Sequence, residues 1–442
     1  MGTYVPNSKR EQDEMVRAAG YKDIDDLFSC IPEGVKLGRE LNLPSGMGEL
    51  KVAAEMERMA DANKVFKHIF RGAGAYNHYI PAIVKSVTGK EEFITAYTPY
   101  QAEISQGILQ TIFEYQTAIC ELTGMDVSNA SVYDVGTAAG EAITMCKDRK
   151  HSNAYVASTV QPGVYDVMKT YCFGSNTKIE KVAAKDGTTD LDALKAALEA
   201  DPAAAMFYVQ QPNYFGLFED VEAIAEIVHA AGAKLVVGVN PIALGIMKTP
   251  ADMGADIAVG EGQPLGLPLA YGGPYIGFMA CRDKLVRSLP GRIVGETKDH
   301  DGERAFVLTL QAREQHIRRE KASSNICSNE ALCALTVCVY LAAIGPDGLK
   351  EVASQCMSKA HYLKDKLAEV GLKPAYDKEF FHEFVTECPC DANALAKALE
   401  DKGFLAGLPL DEKHILWCAT EMNTKEEIDE LAAVIAELGK EG

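Results

Sequence analysis

The sequence predicts an α/β protein in three parts: a helical extension over 1–70, a large domain over 71–346 built on a mostly parallel sheet, and a small α/β domain over 347–442. Two observations carry the prediction. From about residue 130, short apolar runs at 154–157, 205–209, 234–239, 257–259 and 275–279 are separated by helical patterns or long connections, the order that winds a parallel sheet with helices on both faces. These runs are continuously apolar rather than alternating, as strands buried on both faces must be.

The elements follow in chain order. Helical spacing over 11–19 and 50–70 defines the extension, with a turn at Pro32-Glu33-Gly34 between. Gly72, Gly74, Pro81 and Gly89 make 71–98 read as loop, and 101–123 returns to a helix that stops at Gly124. Small residues begin a helix over 138–147, Asp190 stands before a helical pattern at 191–199, and Asp220 before another at 221–231. The apolar run 331–345 is about 15 residues, short of the roughly 20 that a bilayer span needs, and reads as a buried helix. A long helix to 370, strands at 380–386 and 414–419, and helices at 392–402 and 425–438 complete the small domain.

Composition narrows the function. With 63 acidic against 44 basic residues the net charge is −19, which repels nucleic-acid backbones and anionic lipid. The start MGTYVPNSKREQDEM has no apolar stretch of the kind a secretion signal carries. Twelve scattered cysteines form no disulfide framework, so a reducing cytoplasm is expected, with Cys388 and Cys390 as buried small apolar residues. No two of the nine histidines share a helix face at close spacing, so no metal is expected.

Nucleotide fingerprints fail: no third glycine follows Gly72-Ala-Gly74 at the required spacing, and GxxxxGK[ST] is absent. The segment 131–141 places small residues at the start of a helix, which suits either a phosphate seat on free backbone N–H groups or a tight turn into the helix with no ligand. Asn240 ends the run 234–239, where enzymes of the aminotransferase-like fold hold an acidic residue against the pyridinium nitrogen of pyridoxal phosphate. The segment 254–266 is where such enzymes place their Schiff-base lysine, yet no Lys occurs between Lys248 and Lys284. The charge-dense run 313–321 reads either as a solvated helix face or as an interface that orders arginines.

These residues, taken together, resemble the glycine decarboxylase, or P-protein, of the glycine cleavage system, and specifically its N-terminal half. The matching segments include Tyr4-Val-Pro-Asn7, Gly72-Ala-Gly-Ala-Tyr-Asn-His-Tyr-Ile-Pro81, Ala96-Tyr-Thr-Pro-Tyr-Gln-Ala-Glu-Ile-Ser-Gln-Gly107, Gly260-Glu-Gly-Gln-Pro-Leu265, Gly291-Arg-Ile-Val-Gly295 and 313–327, in the family's order. The resemblance implies a pyridoxal-phosphate-dependent transferase-like fold (aminotransferase fold type I). It also implies a cytoplasmic oxidoreductase that decarboxylates glycine and passes the aminomethyl group to the lipoyl arm of the H-protein.

In the family only the C-terminal half carries the Schiff-base lysine and binds the cofactor. This chain would then hold no catalytic, cofactor or metal residue, and would join a C-terminal-half partner as an α2β2 heterotetramer. Tyr97, Tyr100 and Gln101, with Arg313 and His316, are the candidates for reaching the partner's site or the path of the lipoyl arm. The chain departs from the family at Asn240, often Asp, and at Asp134-Val-Gly-Thr-Ala138, usually Asp-Gly-Ala-Thr-Ala. Two other readings are a self-contained pyridoxal-phosphate enzyme with an unusual lysine, which the lysine-free stretch opposes, and a scaffold or regulator that keeps the fold without catalysis.

Overall fold

The computed structural model describes residues 6–39, 41–94, 98–322, 324–326 and 329–441. It divides into a short unit, Met1–Val65, and a long one, Phe66–Gly442. The short unit holds α1 (Lys9–Ala18) and α2 (Glu49–Asp61). Ser8 starts α1 through a capping box with Glu11, each satisfying a backbone N–H of the other. The helix expected over 50–70 stops at Asp61, and His68–Ile69 instead forms a short strand parallel to Phe404–Leu405. A run of apolar residues after position 62 had carried the helical pattern too far. The loop expected over 71–98 also needs correcting: Ala82–Thr88 and Glu91–Ile94 are helical, the first starting directly after Pro81, where a missing N–H costs nothing.

The centre of the long unit is a seven-stranded sheet. Its strands are β1 (Val127–Ser128), β2 (Asn153–Ala157), β3 (Ile179–Val182), β4 (Ala204–Gln211), β5 (Lys234–Val239), β6 (Ile257–Glu261) and β7 (Gly277–Cys281). In space they run β1-β7-β6-β5-β4-β2-β3, with β2 to β6 mutually parallel and β7 antiparallel to both its neighbours. Nearly every residue of β4, β5 and β7 is buried, which is why these strands read as unbroken apolar runs.

The helices that cover this sheet have legible ends. Among them, α3 (Gln106–Thr123) ends at Gly124 in the left-handed conformation, φ 68°. Asp134, Asp190 and Asp220 each accept a backbone N–H at the first turn of α4 (Val135–Cys146), α6 (Leu191–Ala200) and α7 (Val221–Ala230) respectively, while Gln161 does so for α5 (Pro162–Gly174). Against α3 packs a hairpin of β8 (Ile293–Lys298) and β9 (Arg304–Thr309), whose Val294, Phe306 and Leu308 share a core with Ile108, Leu109 and Ile112.

The long helix α8 (Ala331–Glu369) is broken at Gly345, φ 61°, followed by Pro346. By length and apolarity it could span a bilayer, but Ala334, Val337 and Tyr340 are buried in the core of the large sheet. Beyond the break, Ala353 and Cys356 still face that core, and Ala360, Leu363 and Leu367 pass into a second one. The second core lies under an antiparallel sheet of β10 (Glu383–Glu387) and β11 (His414–Cys418), with Leu408–Pro409 at its other edge. Helices α9 (Ala392–Asp401) and α10 (Lys425–Glu441) close it. Of the cysteine pair beside β10, Cys388 is buried but Cys390 is exposed, so only the first fits the expected packing role.

Candidate functional site

The C-terminal ends of β4, β5 and β6 open on a cavity of about 300 Å³, where open α/β sheets place their ligands. Tyr76, Asp134, Gly136, Gln161, Asn240 and Glu261 line it. Each polar group is already engaged. Asp134 Oδ1 accepts the Thr137 N–H at 2.7 Å, and Glu261 Oε2 accepts the Val135 N–H at 3.3 Å. Glu261 Oε1 accepts from the N–H of Gln263 at 3.2 Å and of Ile276 at 3.3 Å. Burial pushes the Glu261 carboxyl up to about 8 against these three donors, and the charge of Asp134 pushes the same way. Asn240 closes the end of β5: its Oδ1 accepts the Ile242 N–H at 2.9 Å, and its Nδ2 stands 3.3 Å from His382 Nε2.

Pyridoxal phosphate does not fit this cavity. A phosphate would need the free N–H groups at the start of α4, but two of them are spent on the carboxyls of Asp134 and Glu261, and the charge of Asp134 would also repel it. The segment Gly260 to Gly266 offers Glu261 and Gln263 and no amine. The Gln263 amide is itself consumed, donating to the carbonyls of Tyr76 at 2.9 Å and Leu267 at 2.8 Å and accepting the Tyr76 N–H at 2.8 Å. In the segment 131–141 the structure shows a tight turn into α4, with the Val135 and Thr137 N–H groups held by Glu261 and Asp134.

The proposed interface residues lie elsewhere, around the hairpin and α3. Tyr97 lies outside the described residues. Tyr100 is held by Arg292, whose Nη2 donates to the phenol oxygen at 2.7 Å and whose guanidinium carbon sits 4.8 Å from the ring centroid. The His316 ring meets Tyr100 edge-on with centroids 6.0 Å apart. Tyr100 nevertheless stays 55% exposed, so its ring is fixed on one side and open on the other. Gln101 is exposed, and its side chain makes no cap for the short turn that follows. Arg313 is half-buried and donates to the carbonyls of Leu289 and Gly291, the second at 2.7 Å; burial lowers its pKa.

The structure thus joins Tyr100 to His316, seats Arg313 on the chain just before Arg292, and leaves Gln101 apart. Arg292 itself, 2% exposed, escaped the sequence reading. Within Gly291-Arg-Ile-Val-Gly295 nothing local marks it as more than a strand-end cation.

A second polar junction ties the segment 70–81 to the small sheet. Glu383 on β10 accepts the Ala73 N–H at 2.6 Å and the Tyr76 hydroxyl at 2.7 Å, and burial raises its carboxyl to about 7. Burial and the nearby His78 hold His382 well below the usual histidine range, so it stays neutral. Closer to α4, Glu330 exchanges hydrogen bonds with Ser131 and is raised to about 7 by burial.

Fold and site define a class: an α/β protein with the architecture of the pyridoxal-phosphate-dependent aminotransferases whose segment Gly260 to Gly266, at the strand-end pocket, carries no lysine. A crystal structure of alanine–glyoxylate aminotransferase from Nostoc sp. superposes with TM-score 0.59 at 18% identity, covering 85% of this chain and 95% of that one, which shows the fold alone. The family is shown directly. Residues 2–435 match the profile described as Glycine cleavage system P-protein, and the chain belongs to that family. It is 50% identical to the probable glycine dehydrogenase (decarboxylating) subunit 1 of Moorella thermoacetica, over 98% of this chain and 99% of the relative. It also matches a crystal structure of glycine decarboxylase (P-protein) of the glycine cleavage system in inhibitor-bound form, with TM-score 0.91, 41% identity, and coverage of 99% of this chain and 100% of that one.

Proposed function

We propose that this chain is the subunit of glycine decarboxylase that carries no cofactor. The observation behind this reading is that a member of the P-protein family, matched over nearly its full length, holds carboxyls where the fold needs an amine and a phosphate seat. The Schiff-base lysine and pyridoxal phosphate then belong to a C-terminal-half partner, in an α2β2 assembly in the cytoplasm. Bound there, the cofactor would supply an electron sink for the decarboxylation of glycine, and the aminomethyl group would pass to one sulfur of the lipoyl disulfide of the H-protein, the other sulfur leaving as a thiol.

The residues of this chain wall the partner's pocket. Tyr97, Tyr100 and Gln101 line the path of glycine or the lipoyl arm, with Arg313 and His316 behind them. Arg292 supports this role by holding Tyr100 through both a hydrogen bond and its ring face, which fixes the phenol without covering it. A closed wall excludes water from the reacting carbon.

The short unit supplies surface for the partner. No residue of α2 is buried, and Leu50, Val52, Met56 and Met59 are all exposed.

The test is reconstitution. The chain alone, the partner alone and the two together are assayed for glycine-dependent exchange of CO2 with added H-protein. Exchange is expected only from the pair. Exchange by this chain alone with pyridoxal phosphate would overturn the proposal.

A further inference from the structure

Away from the strand-end cavity and from Tyr100, three potential metal ligands from distant parts of the chain converge in one buried place. They are His78 in the segment 70–81, Cys356 on α8, and Glu421 in the turn after β11, with their ligand atoms all within 4.8 Å of one another. His78 Nδ1 stands 2.7 Å and Cys356 Sγ 3.2 Å from the same oxygen, Glu421 Oε2. The other oxygen of Glu421 accepts the Tyr79 N–H at 2.6 Å, and Lys359 donates to the Glu421 main-chain carbonyl. The side chains are almost dry: 2% of His78 and 12% of Glu421 remain exposed, and none of Cys356.

Two polar atoms beside the cluster have no partner. The Tyr340 hydroxyl, on the same helix as Cys356, is buried without a hydrogen bond, as is His78 Nε2 on the ring edge away from Glu421. A buried orphan of this kind marks a place where a water or an ion belongs.

We propose that His78, Cys356 and Glu421 bind one zinc ion. An imidazole nitrogen, a thiolate and a carboxylate are the donor types zinc takes, and the sulfur selects it over magnesium or calcium. Thiolate and carboxylate together cancel the charge of Zn2+, so the buried site is neutral overall. Ligands about 2.0 to 2.3 Å from a tetrahedral ion stand roughly 3.5 Å apart, so the 2.7 Å His78–Glu421 and 3.2 Å Cys356–Glu421 spacings need to open by less than about 1 Å, with the His78 and Cys356 ligand atoms already within 4.8 Å of each other. Binding displaces the thiol proton of Cys356 to solvent. The fourth position takes a water. The ion clips the segment 70–81 and the turn after β11 to α8, a structural role independent of the proposed catalytic assembly.

The test uses the full chain stripped of metal and titrated with Co2+. The expected result is one equivalent bound per chain, with an intense thiolate-to-cobalt charge-transfer band and tetrahedral d–d bands that Zn2+ displaces. Cys356→Ser should abolish the charge-transfer band while circular dichroism shows the fold retained. Cys390→Ser should leave it unchanged. If Cys356→Ser does not fold, X-ray absorption of the zinc-loaded natural chain decides, with one sulfur and two or three nitrogen or oxygen donors expected. No stoichiometric Co2+ binding, a band that survives in folded Cys356→Ser, or a zinc shell without sulfur would overturn the site.

Discussion

Glu261 makes the strand-end cavity sensitive to pH, and Glu261→Gln isolates the effect. In the folded chain its carboxyl titrates at about 8, against about 4.5 when freed by unfolding. Between those values the folded state holds one more proton than the unfolded state, so its contribution is complete below pH 4.5 and is lost as pH rises to 8. The slope is at most about 1.4 kcal/mol per pH unit, so the change from pH 5.5 to pH 8 approaches about 3 kcal/mol. Glu330 and Glu383, each raised to about 7, act in the same direction. His382, kept neutral by burial, acts oppositely and only as pH falls below the ordinary histidine range.

The natural curve therefore mixes several groups, but its difference from Glu261→Gln does not. Losing an acceptor for the Val135 N–H shifts the variant by a constant, while the amide cannot ionise. Urea unfolding of the two proteins at a series of pH values should show the variant gaining about 3 kcal/mol relative to the natural chain from pH 5.5 to pH 8. Parallel curves would refute the assignment of a buried, protonated Glu261.

Two further outcomes follow from the proposed interface. Tyr100→Phe removes the oxygen that Arg292 holds but keeps the ring, so the two-chain complex should stay intact by sedimentation while glycine-dependent exchange falls about tenfold or more, roughly 1.4 kcal/mol of transition-state stabilisation. Unchanged turnover would remove Tyr100 from the partner's site. Leu50→Glu, at a position 84% exposed, should alter the chain's own stability by less than about 0.5 kcal/mol yet weaken binding to the partner at least tenfold in a titration; undiminished binding would place the interface elsewhere.

The sheet was legible because strands buried on both faces leave continuous apolar runs, and its helices because Asp190 and Asp220 mark their starts in the sequence itself. Local patterns failed where partners lie far away. His68–Ile69 extends only because Phe404–Leu405 pairs with it, more than 330 residues on. The strand-end cavity was half legible: the missing lysine could be read directly, but the capture of helix N–H groups by Glu261 depends on β6 meeting α4 across 126 residues. Arg292 and the His78–Cys356–Glu421 cluster were invisible for the same reason, since each is defined by its neighbours in space rather than by spacing along the chain.

The division of labour between two chains is the central claim, and borohydride reduction of the catalytically active complex tests it most directly. Reduction fixes pyridoxal phosphate to whichever lysine holds it, and the intact mass of each separated chain reports where it is. The account predicts one phosphopyridoxyl group on the partner and none on this chain. A stoichiometric label here, mapped to a lysine of this chain, would contradict it.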